Sequence, residues 1–236
     1  MANCLTKHIP NALTSCNLMS GCVAIVFALS ANYSMALTFI VVGAVFDFFD
    51  GMSARLLGVS SPIGKELDSL ADVVTFGVAP SMMIYTILLT IDKTGYNDIL
   101  AVAAPYVAFV MAAFSAIRLA KFNLDERQTT SFIGLPTPAN ALFWGALIVG
   151  SEEYLALSSG SIYILLIMVF VSSWLLVAEI PMFALKFKHW GWRENKIKYV
   201  FLVSCLPLLL IFGITGISVI IAWYICLSVI TSKKNA

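Results

Sequence analysis

Charge is the first thing this chain has little of. Asp, Glu, Lys and Arg make up 11% of its 236 residues, 60% are apolar, and the mean hydropathy is +0.93. A soluble domain carries about 25% charged residues, so a water-facing globule of this composition could not cover itself. The chain reads as an integral membrane protein. At roughly 20 residues per helical crossing the length allows about ten crossings at most, with no room for a separate soluble domain. Residues 1–236 therefore read as a single membrane domain. The net charge of +1 excludes a nucleic-acid binder, which needs a dense Lys/Arg surface. Cysteine offers no framework either. Cys4, Cys16, Cys22, Cys205 and Cys226 are odd in number, lie in or beside apolar segments and form no CxxC pair, which argues against disulfides and a zinc site. Internal repeats, low-complexity tracts and linkers are lacking.

What is present is a series of apolar runs. Polar breaks divide them into eight candidate helices, at about 12–31, 35–56, 64–91, 98–121, 136–151, 160–186, 198–213 and 215–231. The last two come from one apolar stretch too long for a single crossing, divided at a hairpin bracketed by Gly213 and Gly216. Eight crossings put both termini on one side. That side would hold Lys7, Arg55, Lys65, Arg118, Lys121, Arg127, Lys186, Lys188, Arg193, Lys196, Lys198, Lys233 and Lys234, leaving only Lys93 opposite. Positive residues favour the cytoplasmic face, so both termini are expected in the cytoplasm. A cleaved signal peptide over residues 1–31 is the alternative, opposed by the polar Pro10-Asn11, Thr14 and Asn17. Trp190 and Trp192, in the Lys-rich segment 186–198, read as interfacial anchors.

Four acidic residues stand out against this background. Asp47, Asp50, Asp68 and Asp72 fall in or at the ends of the second and third apolar segments. Each ionised carboxylate would cost about 2.5–3.5 kcal/mol at a helix centre, so four together need compensation. Asp47 and Asp50 are spaced i, i+3, and Asp68 and Asp72 i, i+4, so each pair shares a helical face. The short link 57–63 makes the two helices antiparallel neighbours, and the four acids can converge. Two divalent cations would neutralise them, and all-oxygen ligation suits Mg²⁺ or Mn²⁺. The plainer reading is helix capping or pairing with Arg55 and Lys65. Gly51 and Gly64 would let a bulky ligand approach the backbone, although glycine also marks packing seams in membrane helices. Arg55, one turn beyond Gly51, could reach a metal-held phosphate or snorkel to the interface. Metals, a cation and clearance together describe phosphoryl transfer on a lipid-soluble substrate.

The run Asp47-Phe-Phe-Asp50-Gly51-Met-Ser-Ala54-Arg55, followed by Gly64, Asp68 and Asp72, resembles the DxxDGxxAR(x8)GxxxDxxxD signature of the CDP-alcohol phosphatidyltransferases at every fixed position. Softer motifs are similar to the integral-membrane phosphatidylserine synthase branch. These are Pro10-Asn11 with Thr14, Asn17 and Gly21; the segment Arg118 to Asn123; the segment Phe132 to Ala139; and Ile180-Pro181 with Lys186. Glu179 stands where that branch would have a neutral or basic residue.

The resemblance covers about residues 9–190 and implies an all-α membrane bundle with a six-helix catalytic core, 191–236 being an added helix pair. It implies that Asp47, Asp50, Asp68 and Asp72 bind two divalent metals, with Asp72 also the general base. Asn11, Thr14, Gly51, Ala54, Arg55 and Gly64 would bind CDP-diacylglycerol. Its phosphatidyl group would pass to L-serine, releasing CMP. Arg118, Lys121 and Asn123 would bind serine or phosphate, and Arg118 suits a carboxylate clamp; the alternative is that these cations merely set topology. The expected setting is the cytoplasmic membrane of a bacterium or archaeon, with the active site facing the cytoplasm and a homodimer as a compatible assembly.

A phosphorylated acceptor, glycerol 3-phosphate or an inositol phosphate, would call for a larger arginine cluster than Arg55, Arg118, Arg127 and Arg193 provide. Prenyltransfer normally needs two separated Asp motifs, and this chain has one block. A divalent-cation transporter would need polar groups through both halves of the membrane, and the outer half is apolar.

Overall fold

In the computed structural model, the described residues are 8–59, 61–91, 98–125, 132–157, 160–182 and 191–235. Lys7, Lys93, Arg127, Lys186, Lys188 and Trp190 lie outside them. The described residues are almost entirely helical: α1 Ile9–Leu29, α2 Tyr33–Leu57, α3 Pro62–Thr90, α4 Asp98–Leu124, α5 Thr137–Leu157, α6 Ser161–Val177, α7 Trp192–Phe212 and α8 Gly216–Asn235. Four helical stretches, Ile9–Leu29, Tyr33–Leu57, Pro62–Thr90 and Ile99–Leu124, are long and apolar enough to cross a membrane. A fifth, Asn195–Thr231, contains the 3₁₀ turn Gly213–Thr215 between α7 and α8, and Ser161–Val177 is a shorter apolar helix.

Local chemistry sets the turns that bring α1, α2 and α3 together. Between α1 and α2 the chain reverses over three residues, with Asn32 N–H bonded to the Phe27 carbonyl at 2.9 Å. The Asn32 side chain then caps α2 by accepting from Met35 N–H at 3.2 Å. α2 stops at Gly58, whose φ of 62° is the left-handed conformation that glycine adopts without a Cβ penalty. Ser61 caps α3 by accepting from Gly64 N–H at 3.0 Å, with Pro62 in the first turn. The link between α2 and α3 is thus the four residues 58–61, shorter than the 57–63 expected from sequence.

α1 packs chiefly on α2, and both pack on α3. Their seam depends on a π-helical turn, Val73–Val78, that interrupts α3 directly after Asp72. Thr75 of that turn wedges between two glycines. A Cβ on Gly21 would collide with Thr75 Oγ1, and one on Gly43 would lie 2.5 Å from Thr75 Cγ2. The Thr75 hydroxyl also donates to the Asn17 carbonyl at 3.0 Å. This is small-residue packing of the kind that draws membrane helices together.

α4 covers the far side of α3 and packs on α6, and α5 lies against α2, α3 and α8. Trp144 of α5, fully buried, donates its indole N–H to Ser172 of α6 at 3.1 Å. α7 and α8 fold back on each other: the Trp223 indole N–H donates to Ser204 Oγ at 3.2 Å, and a Cβ on Gly216 would lie 2.7 Å from the Leu208 carbonyl. Ser218 fastens this hairpin to α5 by donating to the Phe143 carbonyl at 2.7 Å.

Three element boundaries differ from the sequence expectation. The helix expected over 160–186 ends at Val177, because Pro181 disfavours helical backbone at Ile180. Pro181–Met182 instead pairs antiparallel with Phe132–Ile133, a two-residue ladder no periodicity announces. Gly134, at φ 77°, makes the adjoining turn, and its N–H bonds the Ile180 carbonyl at 2.9 Å. α7 begins at Trp192, so the expected interfacial stretch supplies its opening turns; α5 runs to Leu157 and takes in Glu152 and Glu153. Cys16, Cys22, Cys205 and Cys226 are free thiols.

Gly43→Val should therefore destabilise the α1–α2–α3 seam by about 1–3 kcal/mol through overpacking. Thermal unfolding in detergent should show a clear drop for this variant, whereas the outward-facing Val45→Ala should melt with the wild type. Equal melting of all three proteins would remove Thr75 from its wedging role.

Candidate active site

The last turns of α2 and the first turns of α3 carry the four acids. One carboxylate oxygen each from Asp47, Asp50 and Asp68 lies within 4.8 Å of the others. Asp72 sits one turn deeper on α3, buried, and outside that trio, within Coulombic range of Asp47 and Asp68. The convergence follows from the i, i+3 and i, i+4 spacings once Gly58 and Ser61 have turned α3 back along α2.

α1 supplies neutral donors to these acids. Thr14 Oγ1 donates to Asp50 Oδ2 at 2.6 Å, and Asn17 Nδ2 donates to Asp72 Oδ1 at 3.1 Å. Thr14 and Asn17 are themselves buried, spaced i, i+3 on the face of α1 turned to α2 and α3. Asp68 Oδ1 is buried with no hydrogen-bond partner. Three convergent carboxylates, an orphaned carboxylate oxygen and an all-oxygen donor set fit a hard divalent cation, which such ligands favour over softer metals.

A cavity of about 210 Å³ opens beside the trio. Asn11, Thr14, Asp50, Gly51, Ala54, Gly64 and Asp68 line it, as do Ser61 and Lys65. Gly51 leaves open space where a Cβ would be, with nothing within 4 Å. Gly64 is different. A Cβ there would lie 3.0 Å from both Asn11 Oδ1 and Ser61 Oγ, so its missing side chain serves the close approach of α1 and the helix cap.

Arg55 is exposed, its Nε donating to the Gly51 carbonyl at 2.9 Å, and it is not among the cavity-lining residues. The second group of expected site residues divides. Arg118 is buried on α4, within Coulombic range of Asp72, with Nη1 3.5 Å from Thr137 Oγ1 and its guanidinium carbon 5.2 Å from the Phe122 ring centroid. Lys121 is exposed. Asn123 is a tie between helices: its Nδ2 donates to Ser69 Oγ at 2.7 Å and its carbonyl accepts from Lys65 Nζ at 2.8 Å. Asn17, Ser61, Lys65 and Thr137 are among the residues that the sequence reading did not place in the site. Polar residues at helical spacing on an otherwise apolar α1 were the available signal for Asn17.

With this geometry in view, comparison with known proteins becomes specific. The family described as CDP-alcohol phosphatidyltransferase matches residues 7–230. This chain belongs to that family. It is 33% identical over 233 residues to a CDP-diacylglycerol–serine O-phosphatidyltransferase of Helicobacter pylori (strain ATCC 700392 / 26695), covering 96% of this chain and 95% of that protein. A Bacillus subtilis (strain 168) protein of the same name is 40% identical over 136 residues, 56% of this chain and 70% of its own length. One from the archaeon Methanocaldococcus jannaschii is 34% identical over 161 residues, 68% of this chain and 70% of its own. The apolar helices and these bacterial and archaeal relatives fit an integral membrane protein.

The Asn123 contacts lead to a specific expectation. Asn123→Ala and Ser69→Ala should each lower stability by about 0.5–1.5 kcal/mol, and the double variant by no more than either alone, since both delete one hydrogen bond. Unfolding midpoints of the four proteins measure this. Additive losses would mean the two side chains do not act as a pair.

Proposed function

We propose that this protein transfers the phosphatidyl group of CDP-diacylglycerol to L-serine, giving phosphatidylserine and CMP. The observation that carries the reading is the convergence of Asp47, Asp50 and Asp68, two of which, Asp50 and Asp68, line a cavity where Gly51 leaves open space. The near full-length likeness to a relative named for serine phosphatidyl transfer supports the acceptor.

Asp47, Asp50, Asp68 and Asp72 would hold two divalent cations, Mg²⁺ or Mn²⁺. Bound there, such ions offset the charge of a diphosphate and of the phosphoryl oxygens in transfer. Asn11, Thr14, Gly51, Ala54 and Gly64 shape the pocket for the cytidine diphosphate, and the exposed Arg55, tied to the Gly51 carbonyl, would supply a cation for the approach of an anionic headgroup. Arg118 binds the serine carboxylate; buried, with one long hydrogen bond to Thr137, its guanidinium has donors to spare. Asp72, within reach of Arg118's field, accepts the serine hydroxyl proton. The serine oxygen forms the new bond to the phosphatidyl phosphorus, the bond from that phosphorus to the bridging oxygen breaks, and CMP leaves with the electron pair. The distribution of Lys and Arg supports a site facing the cytoplasm, where serine and CMP reside.

The test is product analysis with purified protein, CDP-diacylglycerol, Mn²⁺ or Mg²⁺, and each candidate alcohol. Serine should give phosphatidylserine and CMP, and glycerol 3-phosphate should give neither. Asp47→Ala, Asp50→Ala and Asp68→Ala should each lower turnover at least about a hundredfold with melting retained. Arg118→Ala should raise the KM for serine more than that for CDP-diacylglycerol. Near-normal turnover of an Asp variant at saturating metal would overturn the site, and reaction with glycerol 3-phosphate in place of serine would overturn the acceptor.

A further inference from the structure

Asn17 is fully buried where α1, α2 and α3 meet, with its backbone carbonyl and its side-chain amide nitrogen each engaged by a different partner. Its carbonyl accepts the Thr75 hydroxyl at 3.0 Å, from the π-helical turn of α3. Its Nδ2 donates to Asp72 Oδ1 at 3.1 Å. Its Oδ1 has no hydrogen-bond partner and faces α2 so closely that a Cβ on Gly43 would lie 2.9 Å away.

This arrangement permits one orientation of the amide. Turning it over would set Oδ1 against a carboxylate oxygen of Asp72, two acceptors with no proton between them. An unpartnered buried carbonyl costs free energy, so the amide is a poor choice for packing alone; an apolar side chain of the same shape would fill the space without that cost. What the amide adds is a donor to Asp72 that carries no charge. A lysine or arginine there would neutralise the acid; Asn17 holds it and leaves its charge in place.

We infer that Asn17 is a positioning residue for the reaction: it pins Oδ1 of Asp72, leaving Oδ2 as the oxygen available to the site. The π-helical turn and Gly43 in turn hold Asn17. This inference rests on the role given to Asp72 under the proposed function, and acts on the reaction only through that residue.

A double-mutant cycle tests it on the full-length protein in detergent, using Asn17→Leu, Asp72→Asn and the combination. Two quantities are read: kcat and KM for CMP release with serine and CDP-diacylglycerol, and the dissociation constant for Mn²⁺ alone, from the electron paramagnetic resonance signal of free Mn²⁺. Asn17→Leu should lower kcat at least about tenfold with the KM for CDP-diacylglycerol within about twofold of wild type. In the Asp72→Asn background the same change should alter kcat by less than about twofold. Mn²⁺ affinity should follow suit, weakened by Asn17→Leu only where Asp72 is intact. Should leucine prevent folding, Asn17→Ala, which cannot press on Gly43, runs the same cycle. Equal losses in both backgrounds, or an unchanged kcat, would overturn the inference and leave Asn17 a packing residue. If wild-type protein releases no CMP with serine while the Mn²⁺ coupling holds, the proposed acceptor fails and the positioning role stands.

Discussion

Mutual repulsion among four carboxylates in an apolar bundle is the constraint around which the first three helices are arranged. Each ionised acid in such a setting carries a cost of about 2.5–3.5 kcal/mol before the others are counted. Among the described residues Arg118 is the one buried cation within range, near Asp72, and the two cations that flank the motif are turned elsewhere. Lys65 Nζ is turned to the Asn123 carbonyl and Arg55 Nε to the Gly51 carbonyl, while α1 brings the neutral donors Thr14 and Asn17 to Asp50 and Asp72. Neutral donors orient the acids without discharging them, so the negative potential remains for a bound cation. That choice forces α1 against α2 and α3, because a hydroxyl and a short amide reach only about 3 Å from donor to acceptor.

The close approach explains why the glycines of this region are not alike. Gly21 and Gly43 are occupied by Thr75, Gly64 by Asn11 and Ser61, whereas Gly51 faces open space. From sequence, Gly51 and Gly64 looked equivalent, since both border the acidic motif. Their difference is decided by α1, which has no fixed register against the motif until the three helices are packed. Sequence spacing shows which residues share a helix face; it does not show which neighbour fills the space beside that face.

The same distinction separates what was legible from what was not. Acids at i, i+3 and i, i+4 declare their face directly, and the apolar runs mark most helix ends to within a few residues, even to the Gly213–Gly216 break, the ends expected at 151, 186 and 198 excepted. The π-helical turn at Val73–Val78 left no such trace, because an extra residue in a helical turn changes register without changing composition. The ladder of Phe132–Ile133 with Pro181–Met182 joins segments far apart in sequence and too short for any period to register. The resemblance groups Asn123 with Arg118 and Lys121 at the end of α4; that its amide donates to Ser69 is a contact set by how α3 and α4 cross, which no spacing announces.

The π-helical turn ties these strands of the structure together. A regular α-helix from Asp68 onward would carry the next seven residues past Asp72 in a fixed 100° progression, so one packing choice would set both the acids and the seam. The wider turn decouples them. Asp68 and Asp72 keep the α-helical spacing that aims them toward α2, while Thr75 emerges at the angle needed to enter between Gly21 and Gly43. Asn17 spans the two regimes, accepting from Thr75 with its backbone and donating to Asp72 with its side chain. The packing of the seam is thereby transmitted to a carboxylate of the site through one residue. That short path sets how firmly Asp72 is held.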